Sequence, residues 1–418
     1  MLDLKYIRDN ITTVKTVARN KNCSVGFDHL LKLDIKRREL IQRVEEFRAK
    51  QNMFNDEIAQ AKKNGKSVSY KVSELRILSQ KIKNIDAKVS EINNELLNIL
   101  VTVPNIYHPS VPIGNDKDNK IVREWGTPTR FNFDAKDHLT LGESLGYIDV
   151  PCASKITGSG FVLFKGFGAR LERALINFMI DFHTKKHNYA EVSPPFLVNR
   201  VSMLGTGQLP KLEDDMYMLK DDDLFLVPTA EVPVTNMHRN EILKEEALPI
   251  KYVSYTPCFR REAGSYGKDT KGLSRVHQFD KVELVKFVKP ENSYDELESL
   301  VNDAEEILQA LKLPYRVVLL ASGELSFAAS KCYDLEVWAP GTKKWYEVSS
   351  CSAYADFQAR RANIKFRDKT TKKAQFVHTL NGSGVALARL FLCILENGQK
   401  EDGTVEIPEV LKPYISTP

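Results

Sequence analysis

Two arginines stand where an arginine needs a reason. Arg260 opens the stretch FRREAGSYGKDTKGLSRVHQFDKVELVKF, and Arg389 sits in GVALARLFLCILE, apolar on nearly every side. A buried, unpaired arginine costs several kcal/mol, so each requires an anion. Four glutamates keep similar company: Glu231 after Pro228-Thr229-Ala230, Glu262 beside Arg260 and Arg261, Glu283 among Val282, Leu284 and Val285, and Glu347 in WYEVSSCS. Taken singly, a glutamate at a strand end is ordinary solvated surface and a buried arginine is a structural ion pair. Glu283 is the exception among the acids, because its apolar neighbours imply burial and therefore a donor. Residues 259–287 read as strand, loop, strand. Alternation along the second arm puts Phe279, Lys281 and Glu283 on one face and Asp280, Val282 and Leu284 on the other. The same parity in the first arm pairs Arg260 with Glu262 and turns Arg261 away. The loop from Ala263 to Ser274 carries Gly264, Gly267, Gly272, Lys268 and Lys271. Arginines bind phosphates, carboxylates hold Mg²⁺ or an ammonium, and an aromatic ring stacks a base. The set describes an ATP-using ligase or transferase.

The elements that position these residues follow from pattern. With 418 residues the chain has room for two or three domains. From Leu33, positions 33, 37, 40, 44, 47, 51, 54, 58 and 61 keep 3–4 spacing and are mostly apolar. After Asn64-Gly65-Lys66-Ser67 the spacing resumes as Leu75, Leu78, Ile82, Ile85, Val89, Ile92, Leu96 and Ile99. This is the seam of an antiparallel two-helix coiled coil over about residues 28–99. Its polar faces mix Lys and Arg with Asp and Glu, which suits a spacer rod or dimerisation arm as readily as phosphate contact. Residues 1–103 form one domain. Residues 104–130, with Pro104, Pro109, Pro112, Pro128 and an Asn/Asp/Lys run, read as a linker. Residues 131–418 form the second domain. Its helices are predicted at Leu171–His187, Asn292–Leu311 and Gly384–Asn397. Its strands are predicted at Tyr189–Val198 (with the bend Pro194-Pro195), Leu224–Val227, Tyr315–Leu320, Cys332–Ala339, Trp345–Ser350 and Gln375–Leu380. Hairpins with helices between them make an α+β domain with a mainly antiparallel sheet. Asn381-Gly382-Ser383-Gly384 reads as the opening of the last helix, where free N–H groups could seat an anion.

Composition narrows the class further. A net charge of +5 is compatible with nucleic acid and with an ordinary enzyme alike. Six scattered cysteines form no CxxC pair, so no zinc site is expected, and they suit a reducing compartment. MLDLKYIRDN is no signal peptide, and no apolar run is long enough to span a membrane. No GxGxxG follows a strand and no GxxxxGK[ST] occurs, which disfavours Rossmann and P-loop nucleotide sites.

Several motifs together carry a resemblance: Thr229-Ala230-Glu231, FRREAGSYGKDTKGLSRVHQFDKVEL at 259–284, EVSS at 347–350, DFQARR at 356–361 and HTLNGSGVALAR at 378–389. With the helical arm, they make the chain resemble the bacterial-type seryl-tRNA synthetases, class II aminoacyl-tRNA synthetases, over essentially its whole length. The resemblance implies activation of L-serine by ATP to seryl-adenylate, then transfer to the 3′ end of tRNA(Ser), and to tRNA(Sec) where one exists. It implies an antiparallel class II catalytic domain, Mg²⁺ as cofactor, a cytoplasmic homodimer and tRNA bound by the coiled-coil arm. By the same resemblance Arg260 holds the α-phosphate, Arg389 the γ-phosphate, Phe279 stacks adenine and Glu262 meets its amino edge. Glu347 and Ser350 serve Mg²⁺ and the phosphates, and Arg261, Val276, Val348 and Ser349 join the ATP side. Thr229, Ala230 and Glu231 take the serine ammonium, while Glu283 and Ser383 face its side chain. The loop 263–274 meets the acceptor end of tRNA. Ala388 stands where relatives commonly have glycine; alanine is a good helix residue, so no functional loss is expected. Three rivals are weaker: an inactive paralogue would have lost one of Arg260, Glu283, Glu347 or Arg389. A ligase loading a carrier protein would lack the arm, and a synthetase for another amino acid fits the pocket glutamate less well.

Overall fold

The computed structural model describes residues 1–65, 67–263 and 272–415. The glycine and lysine positions expected in the hairpin loop, Gly264, Gly267, Lys268 and Lys271, lie outside the described residues, as does Lys66. The chain forms two compact units, Leu2–Val103 and Pro104–Pro418, the second including Met1.

The described residues of the first unit form four helices: α1 (Leu4–Asp9), α2 (Ile11–Asn20), α3 (Phe27–Lys63) and α4 (Ser69–Leu100). Asp3 caps α1 by accepting from the backbone N–H groups of Lys5 and Tyr6. The helices α3 and α4 run back along each other. Leu33, Leu40, Val44 and Ile58 are buried along one, and Leu78, Ile82, Ile85, Ile92 and Leu96 along the other. At 1.5 Å per residue the 37 residues of α3 reach about 55 Å. Gln51 interrupts the apolar seam and is satisfied across it, its amide donating to Ser79 Oγ at 2.9 Å. Arg48–Asp86 at 3.0 Å and Lys71–Glu57 at 2.6 Å tie the rims. Such exposed pairs add a few tenths of a kcal/mol each, so burial of the seam holds the hairpin.

The second unit begins with strand β1 (Lys120–Trp125), then α5 (His138–Ser144), α6 (Val150–Thr157) and α7 (Phe167–Lys186). There follow β2 (Ala190–Glu191), β3 (Leu197–Asn199), α8 (Arg200–Thr206), β4 (Leu224–Leu226), α9 (Glu231–Asn236) and β5 (Ile242–Lys244). The central hairpin is β6 (Ile250–Phe259) and β7 (Gln278–Val288), trailed by α10 (Ser293–Ala310). Next come β8 (Tyr315–Leu319), β9 (Lys331–Ala339), β10 (Lys344–Ala353), α11 (Phe357–Ala362) and β11 (Lys365–Arg367). The chain closes with β12 (Ala374–Phe376), β13 (His378–Ala386), α12 (Leu387–Gly398) and α13 (Lys412–Ile415). Eight strands make one sheet in the order β1-β8-β9-β10-β13-β7-β6-β2, antiparallel except for the β2–β6 pair. One face of this sheet is closed by α7, α10 and α12. Along α10, Leu297, Leu300, Val301, Ala304, Ile307 and Leu308 are buried at helical spacing.

Several expectations are corrected. The predicted strand Tyr189–Val198 is broken into β2 and the start of β3, because Pro194 and Pro195 between them supply no N–H to a ladder. The predicted linker 104–130 contains β1 at the sheet edge. It is also anchored by Asn105, whose amide donates to the carbonyls of Ala328 and Tyr354 at 2.8 Å each. Asn381–Gly384 does not open the last helix. It belongs to β13, paired with β7 from His378 to Ala386, and α12 starts three residues after Gly384. The glycines are there for closeness: a Cβ on Gly382 would lie 2.9 Å from Cys351 Sγ and 3.1 Å from Leu300.

Candidate active site

The ends of β6, β7, β10 and β13 and the start of α12 enclose a cavity of about 310 Å³. The sequence parity holds for β7. Phe279 and Lys281 line the cavity, while Val282 and Leu284 enter the core on the other face. Asp280 also points away from it, receiving the Tyr255 hydroxyl at 2.9 Å. For the first arm the outcome holds, Arg260 and Glu262 lining the cavity and Arg261 not, but a strand is not the reason, since β6 ends at Phe259. Arg260 and Glu262 both reach the cavity from irregular backbone, with Glu262 at φ +52°. The Arg260 guanidinium lies over the Phe279 ring, 5.3 Å from its centre, and its Nε donates to the Pro228 carbonyl at 3.2 Å. Glu262 accepts from Arg275 Nη1 at 2.6 Å.

Glu347 and Ser350 are three apart, which in a regular strand would set them on opposite faces. Both line the cavity because the β9–β10 register slips between Glu347 and Ser349. Such a bulge re-aims a side chain. A second slip, between Ser383 and Val385 against β7, likewise lets Asn381, Ser383 and Ala386 share the cavity wall. Arg389 meets Glu347 twice through Nη1, at the carboxylate (3.0 Å) and at the backbone carbonyl (2.9 Å). Its Nε donates to the Ser274 carbonyl at 2.9 Å. The isolated arginine of the sequence therefore has its anion within the cavity. Behind Ser350 lies Asp334, whose carboxyl is pushed well up by burial and then by Glu347. The Cys332 thiol is 3.2 Å from Ser350 Oγ.

The far end is acidic. Glu231 is the first residue of α9, not a strand end. Gln358 Nε2 donates to it at 2.6 Å and Gln208 Nε2 at 3.4 Å. Burial raises its carboxyl above the ordinary range, and Glu283 adds to the shift. Glu283 is fully buried and stands just behind the wall. It accepts from Thr229 Oγ1 at 2.6 Å and also meets Asn381 Nδ2 and Lys281 Nζ. Lys281 in turn donates to Thr229 Oγ1 at 3.0 Å, and the Tyr354 hydroxyl donates to Asn381 Oδ1 at 3.2 Å. Lys281 thus pairs directly with Glu283 and acts on Glu231 only through its charge.

Of the residues singled out in the sequence, Thr229, Glu231, Arg260, Glu262, Val276, Phe279, Glu347, Ser350, Ser383 and Arg389 line the cavity. Five do not: Glu283 stands behind the wall, Ala230 and Val348 are core residues, and Ser349 turns its hydroxyl to the Ser383 carbonyl at 2.6 Å. The fifth, Arg261, follows Arg260 with its backbone N–H on the Asp215 carbonyl at 2.8 Å. Lys281, Asn381, Gln358 and Arg275 were missed as site residues. Only Lys281 had a signal, its shared strand face with Phe279 and Glu283. Gln358 arrives from α11, and no local pattern relates it to Glu231.

Comparison with known proteins bears on this arrangement. Residues 1–107 match the family model described as the seryl-tRNA synthetase N-terminal domain, and residues 213–398 match the tRNA synthetase class II core domain (G, H, P, S and T). The serine–tRNA ligase of Thermodesulfovibrio yellowstonii is 54% identical over 419 residues, with 99% of each chain covered. Seryl-tRNA synthetase from Pyrococcus horikoshii, solved with ATP, superposes with a TM-score of 0.92 at 39% identity, covering 100% of this chain and 98% of that one. The cytoplasmic serine–tRNA ligase of Naegleria fowleri, solved with AMP, gives 0.87 at 30% identity, covering 99% and 97%.

Proposed function

The chain belongs to the seryl-tRNA synthetases, class II ligases that join serine to its tRNA at the expense of ATP, and on that premise we propose a role for each side chain of the cavity. The observation that carries the scheme is how its charges are grouped: Arg260, Arg275 and Arg389 line the cavity with Glu262 and Glu347 as partners, while Glu231, with the buried Glu283 behind the wall, is held by Gln358 and Gln208. Triphosphate belongs at the first end and an amino-acid ammonium at the second.

Phe279 stacks the adenine and Glu262 meets its amino edge, while Arg260, already lying on the Phe279 ring, turns its free guanidinium edge to the α-phosphate. Arg389 exchanges part of its contact with Glu347 for the γ-phosphate. Glu231 takes the serine ammonium, with Thr229 beside it. Glu283 accepts the serine hydroxyl. Three of its roughly four lone-pair sites are in use, so one more donor can be received. An analogue lacking the hydroxyl leaves that site unpaired, the kind of loss that supports strong discrimination. The serine carboxylate, already ionised, attacks the α-phosphorus in line with the departing pyrophosphate. No protein base is needed. Binding both substrates turns a bimolecular attack into a positioned one, and the arginines stabilise the charge that grows on the phosphorus centre. The terminal ribose hydroxyl of the tRNA then takes the seryl group from the adenylate.

Glu347 and Ser350 fit Mg²⁺: both offer hard oxygens, brought to one face by the bulge, with the half-buried carboxyl of Asp334 opposite Ser350 in the neighbouring strand. A bound ion there would neutralise phosphate charge. We assign the helical hairpin α3–α4 to tRNA(Ser), and to tRNA(Sec) where one exists. We further assign the working form as a cytoplasmic homodimer; no helix among the described residues is long and apolar enough to cross a membrane. The deciding experiment is ATP–pyrophosphate exchange with each amino acid in turn, with and without tRNA. Exchange driven by serine alone is expected; exchange driven by another amino acid, or by none, ends the scheme.

A further inference from the structure

One buried pair outside the cavity has no part in that scheme. His138 is the first residue of α5 and Glu396 lies near the end of α12; they are 3% and 0% exposed. Glu396 Oε1 accepts from the His138 backbone N–H at 3.1 Å and stands 2.8 Å from its Nδ1. Oε2 accepts from the Thr342 backbone N–H at 2.9 Å and its hydroxyl at 3.1 Å. A carboxylate receiving these donors has only lone pairs to offer, so Nδ1 carries the ring hydrogen. That leaves Nε2 bare, and the Leu273 backbone N–H donates to it at 3.3 Å. Gly272 is pressed against the same ring: at φ +76°, a Cβ there would lie 2.3 Å from Nε2. The ring thus holds two consecutive residues of the segment leading into β7. The next residue, Ser274, places its carbonyl on Arg389 Nε at 2.9 Å.

We propose that His138, its tautomer set by Glu396, is a positioning residue for Arg389: through Leu273 it fixes the Ser274 carbonyl that aims the guanidinium at the nucleotide. This rests on the ATP role assigned to Arg389 above. Nothing in the serine end of the cavity depends on it.

Two variants of similar size separate the ring's two contacts. In His138→Asn the amide occupies the Nδ1 position, so it keeps Glu396 and stops short of Leu273. In His138→Gln the amide reaches the Nε2 position and can present its oxygen to Leu273. ATP affinity is measured by calorimetry without serine, and both Michaelis constants by serine-dependent pyrophosphate exchange. The Asn variant is expected to bind ATP about tenfold more weakly, the equivalent of one hydrogen bond to a charged group at about 1.4 kcal/mol. The Gln variant should stay within about twofold of the unaltered chain, and the serine constant should not move in either. Equal ATP affinity in all three chains, equal loss in both variants, or a parallel loss of serine affinity overturns the proposal. Should the Asn variant fail to fold, His138→Phe, which keeps the ring without its nitrogens, takes its place against Gln. Because the calorimetry needs no serine, its result is independent of whether serine supports exchange.

Discussion

Glu231 carries the most demanding charge in the cavity. Burial and the nearby Glu283 hold its carboxyl above the ordinary range, with Gln358 and Lys281 pulling the other way. The neutral acid offers an ammonium an acceptor but no charge, so serine binds the ionised form and must expel any proton it finds there. Serine affinity should therefore fall on acidification at a higher pH than an exposed glutamate would dictate. Calorimetry in two buffers of different ionisation enthalpy should register proton release when serine binds. Glu231→Gln, close in shape but uncharged, is expected to raise the serine Michaelis constant about a hundredfold, the order of a broken buried charge pair. An unchanged constant would remove Glu231 from the ammonium. Arg389→Ala should slow activation at least about a hundredfold, as loss of one aimed charge does, with tRNA affinity within about twofold. A large drop in tRNA binding alone would count against its assignment to ATP. At this scale the sequence was informative wherever chemistry alone makes a residue conspicuous: Arg389 in an apolar helix, Glu283 in an apolar strand. It was silent on Gln358, Gln208 and Asn381, because an amide is unremarkable until a buried carboxylate is beside it.

Long elements were legible because they repeat. The seam of α3 and α4 and the apolar stripes of α7 and α10 each run for several turns, and tertiary packing reinforces the same period. Short ones such as β1, α8, α9 and α11 have no room for a period and are held by what they pair with. Bulges are invisible for the same reason, yet one of them sets Glu347 and Ser350 on a common face. The misread NGSG stretch shows the cost of treating glycine only as a turn signal, since Gly382 serves packing between β10 and α10. Gly382→Ala is expected to destabilise the fold by about 1–3 kcal/mol through overpacking against Cys351 and Leu300, visible as a lowered denaturant midpoint. A midpoint at or above that of the unaltered chain would mean the strand relaxes freely. Between α7 and β7, on the sheet face away from the cavity, Glu172 and Asp280 form a half-buried acid pair. Burial, then Asp280, pushes Glu172 up to about 9. From the ordinary carboxylate range up to about 9 the folded chain holds a proton that the unfolded chain has released. Stability attributable to this group is present at low pH and is lost as pH rises through that window. Glu172→Gln should consequently gain on the unaltered chain in thermal midpoint between about pH 5 and about pH 8. A difference independent of pH would show that Glu172 is not holding the proton.

At the scale of the molecule, the cavity and the helical hairpin are drawn from separate stretches of chain. Every residue lining the cavity falls between Thr206 and Arg389, inside the unit Pro104–Pro418, whereas α3 and α4 belong to Leu2–Val103. The hairpin also closes its own seam, Leu40, Val44 and Ile58 on one helix and Ile82, Ile85 and Ile92 on the other. Removing Asp28–Ile99 therefore takes away both halves of the seam together and exposes neither to water. If the arm serves only tRNA, as assigned above, the shortened chain should activate serine with Michaelis constants for ATP and serine within about twofold of the full chain, each substrate still meeting the same side chains. Charging of tRNA(Ser) should fall by orders of magnitude, because the phosphate contacts that dominate nucleic-acid affinity would be gone. Exchange and charging measured on one preparation, with its thermal transition recorded, separate the two activities. A folded deletion variant that has lost exchange would tie the arm to catalysis, and one that still charges tRNA would strip the arm of its role.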